Sequence, residues 1–173
     1  ADEIVEIACR IRPDQCTLVP ERREEITTEG GLDVIRQRLR VQAAVRRLRE
    51  QGIVVSAFIE PIEDQVRASA DIGFHAVELW TGAYAHARSD SDIKSSLDAL
   101  SAAIAVGCGC GLHVHAGHGL TYRNVPTVAA LPGFEEFNIG HAIVARALFV
   151  GMREAVAQMK MLLVQHAPRE GTG

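Results

Sequence analysis

Short β-type runs alternate with longer helical patterns along nearly the whole chain, and this rhythm limits the fold more than any other feature. The strand candidates are residues 15–20, 53–60, 76–80, 112–116 and 136–139. Between them the apolar periodicity predicts helices over 32–51, 62–72, 90–106, 125–130 and 141–165, and the chain opens inside a helical pattern. The first of these carries Val34, Leu39, Val45 and Leu48 on one apolar stripe, with arginines on the other face and Gly52 to close it. Ser89-Asp-Ser-Asp92 supplies capping side chains at the start of another.

Repeated strand–helix units of this size imply an α/β protein with a parallel sheet and right-handed crossovers. The sheet closes either as an open doubly wound layer or as part of a barrel. A doubly wound sheet is covered on both faces, so its strands read apolar throughout. Here they do not. Leu112, Val114 and Ala116 share one face while His113, His115 and Gly117 share the other; Glu78 falls with Trp80, and Asn138 and Gly140 oppose Phe137 and Ile139. Polar groups on an inner face near the strand C-termini fit a (β/α)8 TIM barrel. Five strand candidates cannot close such a barrel, so this chain is expected to supply roughly its last five strand–helix units.

Composition narrows the function classes. The 173 residues suit one domain spanning 1–173, with a frayed tail over 168–173. Hydrophobic residues at 47% and charged residues at 23% exclude a disordered chain, and no apolar run approaches the roughly 20 residues of a membrane span. Lys and Arg number 18 against 22 Asp and Glu, a net charge of −4 that speaks against nucleic acid as a partner. The four cysteines show no C-x-x-C spacing, and Cys108 and Cys110, within Gly107-Cys-Gly-Cys-Gly111, are expected as reduced, buried small residues at a tight turn. No signal peptide or lipidation motif is visible, so a cytoplasmic address and no membrane association are expected.

Four stretches could carry chemistry. In His113-Val-His-Ala-Gly-His-Gly-Leu-Thr-Tyr122, His118 lies just past a strand end between two glycines, where an imidazole suits proton transfer; a locally bonded loop histidine is the plainer alternative. His113 and His115 on one strand face could be half a metal site, but no further ligands stand at a recognisable spacing, and no metal is expected. In Phe137-Asn-Ile-Gly-His-Ala142 a strand runs into a helix at Gly140-His141, and Gly117/Gly119 with Gly140/His141 suit phosphate binding at a helix N-terminus. Pro20 to Gly31 is too long and charged for a simple connector. It suggests a lid with Thr27 and Thr28 as phosphate contacts and Gly30-Gly31 as hinge, or else an ordinary solvated loop. Glu78, on an inner face before Thr81-Gly82, is either a perturbed catalytic carboxylate or half of an interior salt bridge.

Read in order, these stretches resemble the pyridoxine 5′-phosphate synthase family, which closes the pyridine ring in vitamin B6 synthesis. The carriers are Leu18-Val-Pro-Glu-Arg-Arg-Glu-Glu-Ile-Thr-Thr-Glu-Gly-Gly-Leu-Asp-Val34, Glu78-Leu-Trp-Thr-Gly-Ala-Tyr84, Ala116-Gly-His-Gly-Leu-Thr-Tyr122 with Asn124-Val125, and Phe137-Asn-Ile-Gly-His-Ala-Ile143. The resemblance implies a cofactor-independent condensation of 1-deoxy-D-xylulose 5-phosphate with 3-amino-2-oxopropyl phosphate, releasing phosphate and water. It implies that His118 donates a proton and that Glu78 stabilises a transition state. It further implies that Gly119, Gly140 and His141 bind the aminoketone phosphate and that Thr27 contacts the deoxyxylulose phosphate. His115 stands where relatives often carry Asn, a further argument against a metal. A homo-oligomer, an octamer, follows from the same resemblance.

The family pattern also places two strand–helix units and a third strand ahead of this region. These hold another catalytic histidine, a catalytic glutamate, and an asparagine and arginine that touch substrate. The chain is therefore expected to begin within the helix after that third strand, and to be inactive and prone to associate by itself. The alternative class is another phosphate-binding TIM-barrel isomerase or lyase; Lys94 and Lys160 both fall in helical patterns, which disfavours a Schiff-base aldolase.

Overall fold

A computed structural model describes residues 2–21 and 30–168. In chain order it contains α1 (Asp2–Ile11), β1 (Gln15–Leu18), α2 (Arg38–Glu50), β2 (Val54–Ile59), α3 (Glu63–Ile72), β3 (Ala76–Trp80), α4 (Gly82–His86), α5 (Asp90–Gly109), β4 (His113–Gly117), α6 (Val125–Ala129), β5 (Glu136–Asn138), α7 (His141–Val150) and α8 (Met152–His166). All five strand candidates become strands, trimmed or shifted by a residue or two. They form one sheet in the order β1-β2-β3-β4-β5, every neighbouring pair parallel.

The alternation read from sequence sets the two faces. Val55, Ala57 and Ile59 of β2, Val77 and Leu79 of β3, and Val114 of β4 point outward and are wholly or almost wholly buried under the helices. They meet Val41, Val45 and Leu48 of α2, Val66 and Ile72 of α3, and Leu100, Ala103 and Ile104 of α5 in one continuous core. A second cluster gathers Ala116, Tyr84, Leu120, Val125, Val128 and Met159 beneath β4, α6 and α8. The other face turns inward and bears Thr17, Ser56, Phe58, Glu78, Trp80, His113, His115, Gly117, Glu136 and Asn138, aligned by register. Residues beside β1 and at the end of β5 border a single cleft. A flat sheet would hold those two strands about 19 Å apart, so the sheet is curled into a parallel half-barrel.

Three local expectations need correcting. The helix expected over 32–51 starts at Arg38. Ahead of it, Leu32 N–H donates to Phe58 O at 2.8 Å and Val34 N–H to Gln65 Oε1 at 3.0 Å. Asp33 Oδ1 accepts from Arg36 N–H at 2.9 Å and Gln65 Nε2 at 3.0 Å. The buried Gln65 thus ties this segment to α3, and Asp33 Oδ1 takes the Arg36 N–H that a helix from residue 32 would pair with Leu32 O. Nine residues before Leu48, Leu39 falls about 180° away on an α-helix, so it is 84% exposed while Val41, Val45 and Leu48 form the buried stripe. The helix expected over 141–165 breaks at Gly151, whose φ of 82° ends α7 and opens α8. Arg146 Nε donating to Gln158 Oε1 at 3.0 Å joins the two halves.

The third correction concerns the thiols. Cys108 and Cys110 are exposed, because the last turn of α5 carries them on its solvent side, while Cys9 and Cys16 are half-buried; all four are free. Two other details match the sequence reading. Ser89 Oγ accepts the N–H of Asp92 at 3.1 Å, and Gly52 takes a φ of 77° just past α2. No helix among the described residues is long and apolar enough to cross a membrane.

Candidate active site

The cleft lies at the C-terminal ends of the strands and has a volume of about 620 Å³. Of the site residues singled out in the sequence, Glu78, His118, Gly119, Gly140 and His141 all line it. Thr27 and Thr28 lie outside the described residues.

Glu78 points inward from the middle of the sheet and is half-buried. Its partner is an amide rather than a cation. Asn138 Nδ2 donates to Glu78 Oε2 at 2.9 Å. Burial drives the Glu78 carboxyl up to about 7; the Asn138 hydrogen bond pulls it down, and the nearby Glu136 charge adds to the rise. Near neutral pH this group therefore holds a proton part of the time, a state that suits proton exchange. Gly117 makes room for it, since a Cβ there would lie 1.8 Å from Glu78 Oε1.

His118 sits on the turn after β4 with φ at 78°, a left-handed conformation that costs a residue with a side chain about 1–3 kcal/mol. Thr81 holds that turn. Its hydroxyl, on a residue 1% exposed, lies within hydrogen-bond reach of both Gly117 O and His118 O, and its N–H donates to Gly117 O at 2.9 Å. The backbone bend swings the imidazole inward, where its ring lies 6.1 Å from the Trp80 indole and 6.3 Å from the Phe58 ring. One side of the ring is thus packed by aromatics and the other faces the cleft. Gly119, with φ at 78°, continues the bend, and Asn124 Nδ2 closes the loop by donating to Gly119 O at 3.1 Å.

Gly140 and His141 begin α7, whose first intrahelical bond runs from Val144 N–H to Gly140 O. The N–H groups of the residues between have no intrahelical acceptor and carry the positive end of the helix dipole. Among the described residues, no atom beyond its chain neighbours lies within 4 Å of where a Gly140 side chain would start. The anion cradle read from Gly140-His141 is therefore sterically open.

Gly30 and Gly31, which end the suggested lid, are placed at the same end of the sheet. Gly30 N–H donates to Glu60 Oε1 at 3.1 Å. A Cβ on Gly31 would meet Glu60 N at 2.3 Å, so Gly31 serves close backbone approach to the end of β2.

The other two histidines lie deeper in the sheet. His113 Nδ1 pairs with Glu135 Oε2 at 2.7 Å. His115, 5% exposed, has Nδ1 at 3.6 Å from Glu136 Oε1, an ion-pair distance too long for a hydrogen bond. Burial lowers its basicity against the pull of Glu136 and Glu135. Among the described residues no three His, Cys, Asp or Glu side chains are grouped to hold a metal. Periodicity and motif spacing assign no role to Asn138, Thr81 or Phe58, and they point to Gly117 as a phosphate-binding glycine rather than as the gap that accommodates Glu78. Alternation put Asn138 and Gly117 on the inner face, but which residues meet across the sheet depends on register between strands far apart in sequence.

A curled parallel sheet with a titrating carboxyl, a strand-end imidazole and an open helix N-terminus at one end defines an α/β barrel-type site for phosphorylated small molecules. Comparison narrows the class. Residues 1–165 match the family described as "Pyridoxal phosphate biosynthesis protein PdxJ", and the chain belongs to that family. It is 53% identical over 162 residues to a protein of Trichlorobacter lovleyi named pyridoxine 5′-phosphate synthase, covering 94% of this chain and 68% of the relative. A protein of the same name from Geobacter sulfurreducens is 52% identical over 161 residues, covering 91% of this chain and 66% of the relative. The chain thus spans about two thirds of the length of these relatives.

Among solved structures, an HpcH/HpaI aldolase/citrate lyase family protein from Burkholderia cenocepacia superposes with TM-score 0.56 at 13% identity, covering 97% of this chain and 74% of that one. The BexX/CysO complex of Amycolatopsis orientalis gives TM-score 0.54 at 17% identity, covering 99% and 65%. Identities this low support the shared fold alone.

Proposed function

We propose that the intact protein is a pyridoxine 5′-phosphate synthase. It condenses 1-deoxy-D-xylulose 5-phosphate with 3-amino-2-oxopropyl phosphate and releases inorganic phosphate and water. The observation that carries this reading is the meeting of His118, Glu78 and the Gly140-His141 helix start in one cleft of a family member. The reaction changes no overall oxidation state. What the residues must supply is proton transfer and anion binding.

Joining the amine to a ketone makes a carbinolamine, whose hydroxyl needs a proton before it leaves as water. His118, bent into the cleft by its left-handed backbone, is the proton donor for that role. Glu78, poised near neutrality, stabilises the positive charge that develops on nitrogen as water departs and exchanges protons as the ring closes. Gly119, Gly140 and His141 hold the aminoketone phosphate, using the free N–H groups of the first turn of α7. Thr27, which lies outside the described residues, is assigned by the family resemblance to contact the deoxyxylulose phosphate. Binding two phosphorylated substrates side by side replaces a bimolecular encounter with an effectively unimolecular one.

The half-barrel is read as part of a (β/α)8 barrel in one domain, assembled as an octamer in the cytoplasm. Among the described residues both edge strands, β1 and β5, pair on one side only. Leu148 and Phe149 of α7 are 82% and 84% exposed, which fits a surface covered by further chain or by another copy.

The test is product formation and phosphate release by the intact protein, with and without His118→Asn. Asn tolerates a positive φ, so the turn is retained. Loss of a general acid is expected to lower kcat by about 10²–10⁴ with an unchanged melt. Condensation by the variant near the parental rate would remove His118 from the mechanism.

A further inference from the structure

We propose that Asn138 is the positioning residue of Glu78: its amide holds Oε2, leaving Oε1, which rests against Gly117, as the oxygen that exchanges protons in the cleft. The inference deepens the synthase reading and rests on it for the identity of the reaction.

The geometry explains why three residue types are needed on three strands. Glu78 is on β3 and Asn138 on β5, two strands apart, with β4 between them. In register, Asn138 lies opposite Gly117, and Gly117 opposite Trp80, so Asn138 stands one inward-facing level above Glu78. A carboxylate and an amide on next-but-one strands can meet only if the strand between presents no side chain at the crossing. Gly117 meets that demand, because a Cβ there would overlap Glu78 Oε1 at 1.8 Å. Across the vacant crossing Asn138 Nδ2 reaches Glu78 Oε2 at 2.9 Å. The curl of the sheet shortens the span further. One carboxyl oxygen is thereby tied to β5 and the other is laid over the β4 backbone, next to the turn that carries His118.

The surroundings make the tie consequential. The ionisable groups around Glu78 are Glu136 on β5 and His115 on β4, level with it in register, and His118 and His141 in the same cleft, while β2 presents Phe58 directly opposite. Burial and Glu136 both favour the protonated carboxyl, and Asn138 is the hydrogen bond that opposes them. Without its amide, Glu78 keeps its proton to higher pH and its head is free to rotate. His115, whose Nδ1 has no hydrogen bond, lies beside it in register but does not replace the donor.

The experiment compares Asn138→Ala and Asn138→Asp with the parent in the intact protein. Glutamate labelled with ¹³C at the carboxyl is titrated by NMR, and the Glu78 resonance is assigned by its loss in Glu78→Gln. Asn138→Ala is expected to raise the Glu78 midpoint by about one pH unit, the shift carried by one hydrogen bond to a carboxylate. Asn138→Asp, which swaps a donor for a second negative charge, should raise it further. The limb of the kcat/KM profile that reports this carboxyl should move by the same amount, with the melting temperature unchanged. A Glu78 midpoint unmoved by Asn138→Ala overturns the proposal. So does a moved midpoint with an unmoved kinetic profile, since the tied carboxyl would then exchange no proton in turnover. If the parent itself does not condense the two substrates, the reaction is refuted separately, and the NMR arm still decides whether Asn138 holds Glu78.

Discussion

Replacing Glu78 with Gln should stabilise the protein at pH 8 and leave its stability unchanged at pH 4.5. The reasoning starts from the carboxyl, which burial lifts from an ordinary 4.5 to about 7. A raised carboxyl binds its proton more tightly in the folded state than in the unfolded chain. Between pH 4.5 and pH 7 the folded state therefore carries more protons, and stability falls as pH rises through that window. At about 1.36 kcal/mol for each pH unit, the full displacement corresponds to roughly 3.4 kcal/mol. Glu78 faces an open cleft and is only half-buried, so solvent screening reduces this to about 1.5–2 kcal/mol. Gln keeps the shape, and its carbonyl oxygen still accepts from Asn138, but it has no charge to desolvate. Urea unfolding of parent and variant at several values between pH 4.5 and 8 measures the difference directly. Other titrating groups cancel in the comparison. The expected result is a gap that opens with rising pH to about 1.5–2 kcal/mol in favour of the variant, which will also have lost most of its activity. Parallel stability curves, or a gap that opens in the parent's favour, would refute the claim that burial holds this carboxyl near neutrality.

Gly117→Ala puts a methyl carbon where Glu78 Oε1 now lies, so it should cost about 1–3 kcal/mol in thermal unfolding and abolish condensation. Thr81→Val removes the hydroxyl that reaches Gly117 O and His118 O; a loss of about 1–3 kcal/mol and a lower kcat at unchanged KM are expected from unfolding and steady-state kinetics. Gly140→Ala adds a methyl group to open space, so its melt should match the parent while KM for a phosphorylated substrate rises. A melting temperature depressed by Gly140→Ala would show that the glycine serves the fold rather than an anion.

Sequence periodicity was sufficient for the sheet because a parallel sheet under helices buries one face of each strand. Val55, Val77 and Val114 could be assigned outward, and Glu78 and His115 inward, from alternation alone. It failed where a side chain from a distant segment competes with the local pattern. Gln65, more than 30 residues from Val34, claims the N–H that would otherwise sit in the first turn of a longer α2. No local propensity contains that information; Leu39 is a separate case, since nine residues before Leu48 it falls on the opposite side of any α-helix.

The site divides along the same line. His118, Gly119, Gly140 and His141 were legible because each lies at a strand or helix end, where position alone makes a group available to a ligand. Alternation puts Asn138 and Gly117 on the correct face, but it leaves Asn138 without a role and reads Gly117 only as a phosphate glycine, because the contact between them and Glu78 exists only between strands. Glu78 is held in place here by a neighbour with no side chain and a second neighbour that supplies an amide. Each of the three residues is unremarkable within its own strand, and each would be tolerated in a barrel of another chemistry. Only parallel register sets Gly117 between Glu78 and Asn138, and a shift of one residue along β4 would bring His118 or Ala116 to the crossing instead. Either side chain would separate the carboxyl from its amide. The catalytic character proposed for Glu78 therefore depends on strand pairing, and substitutions that slip β4 or β5 should abolish it while every residue of the site remains present.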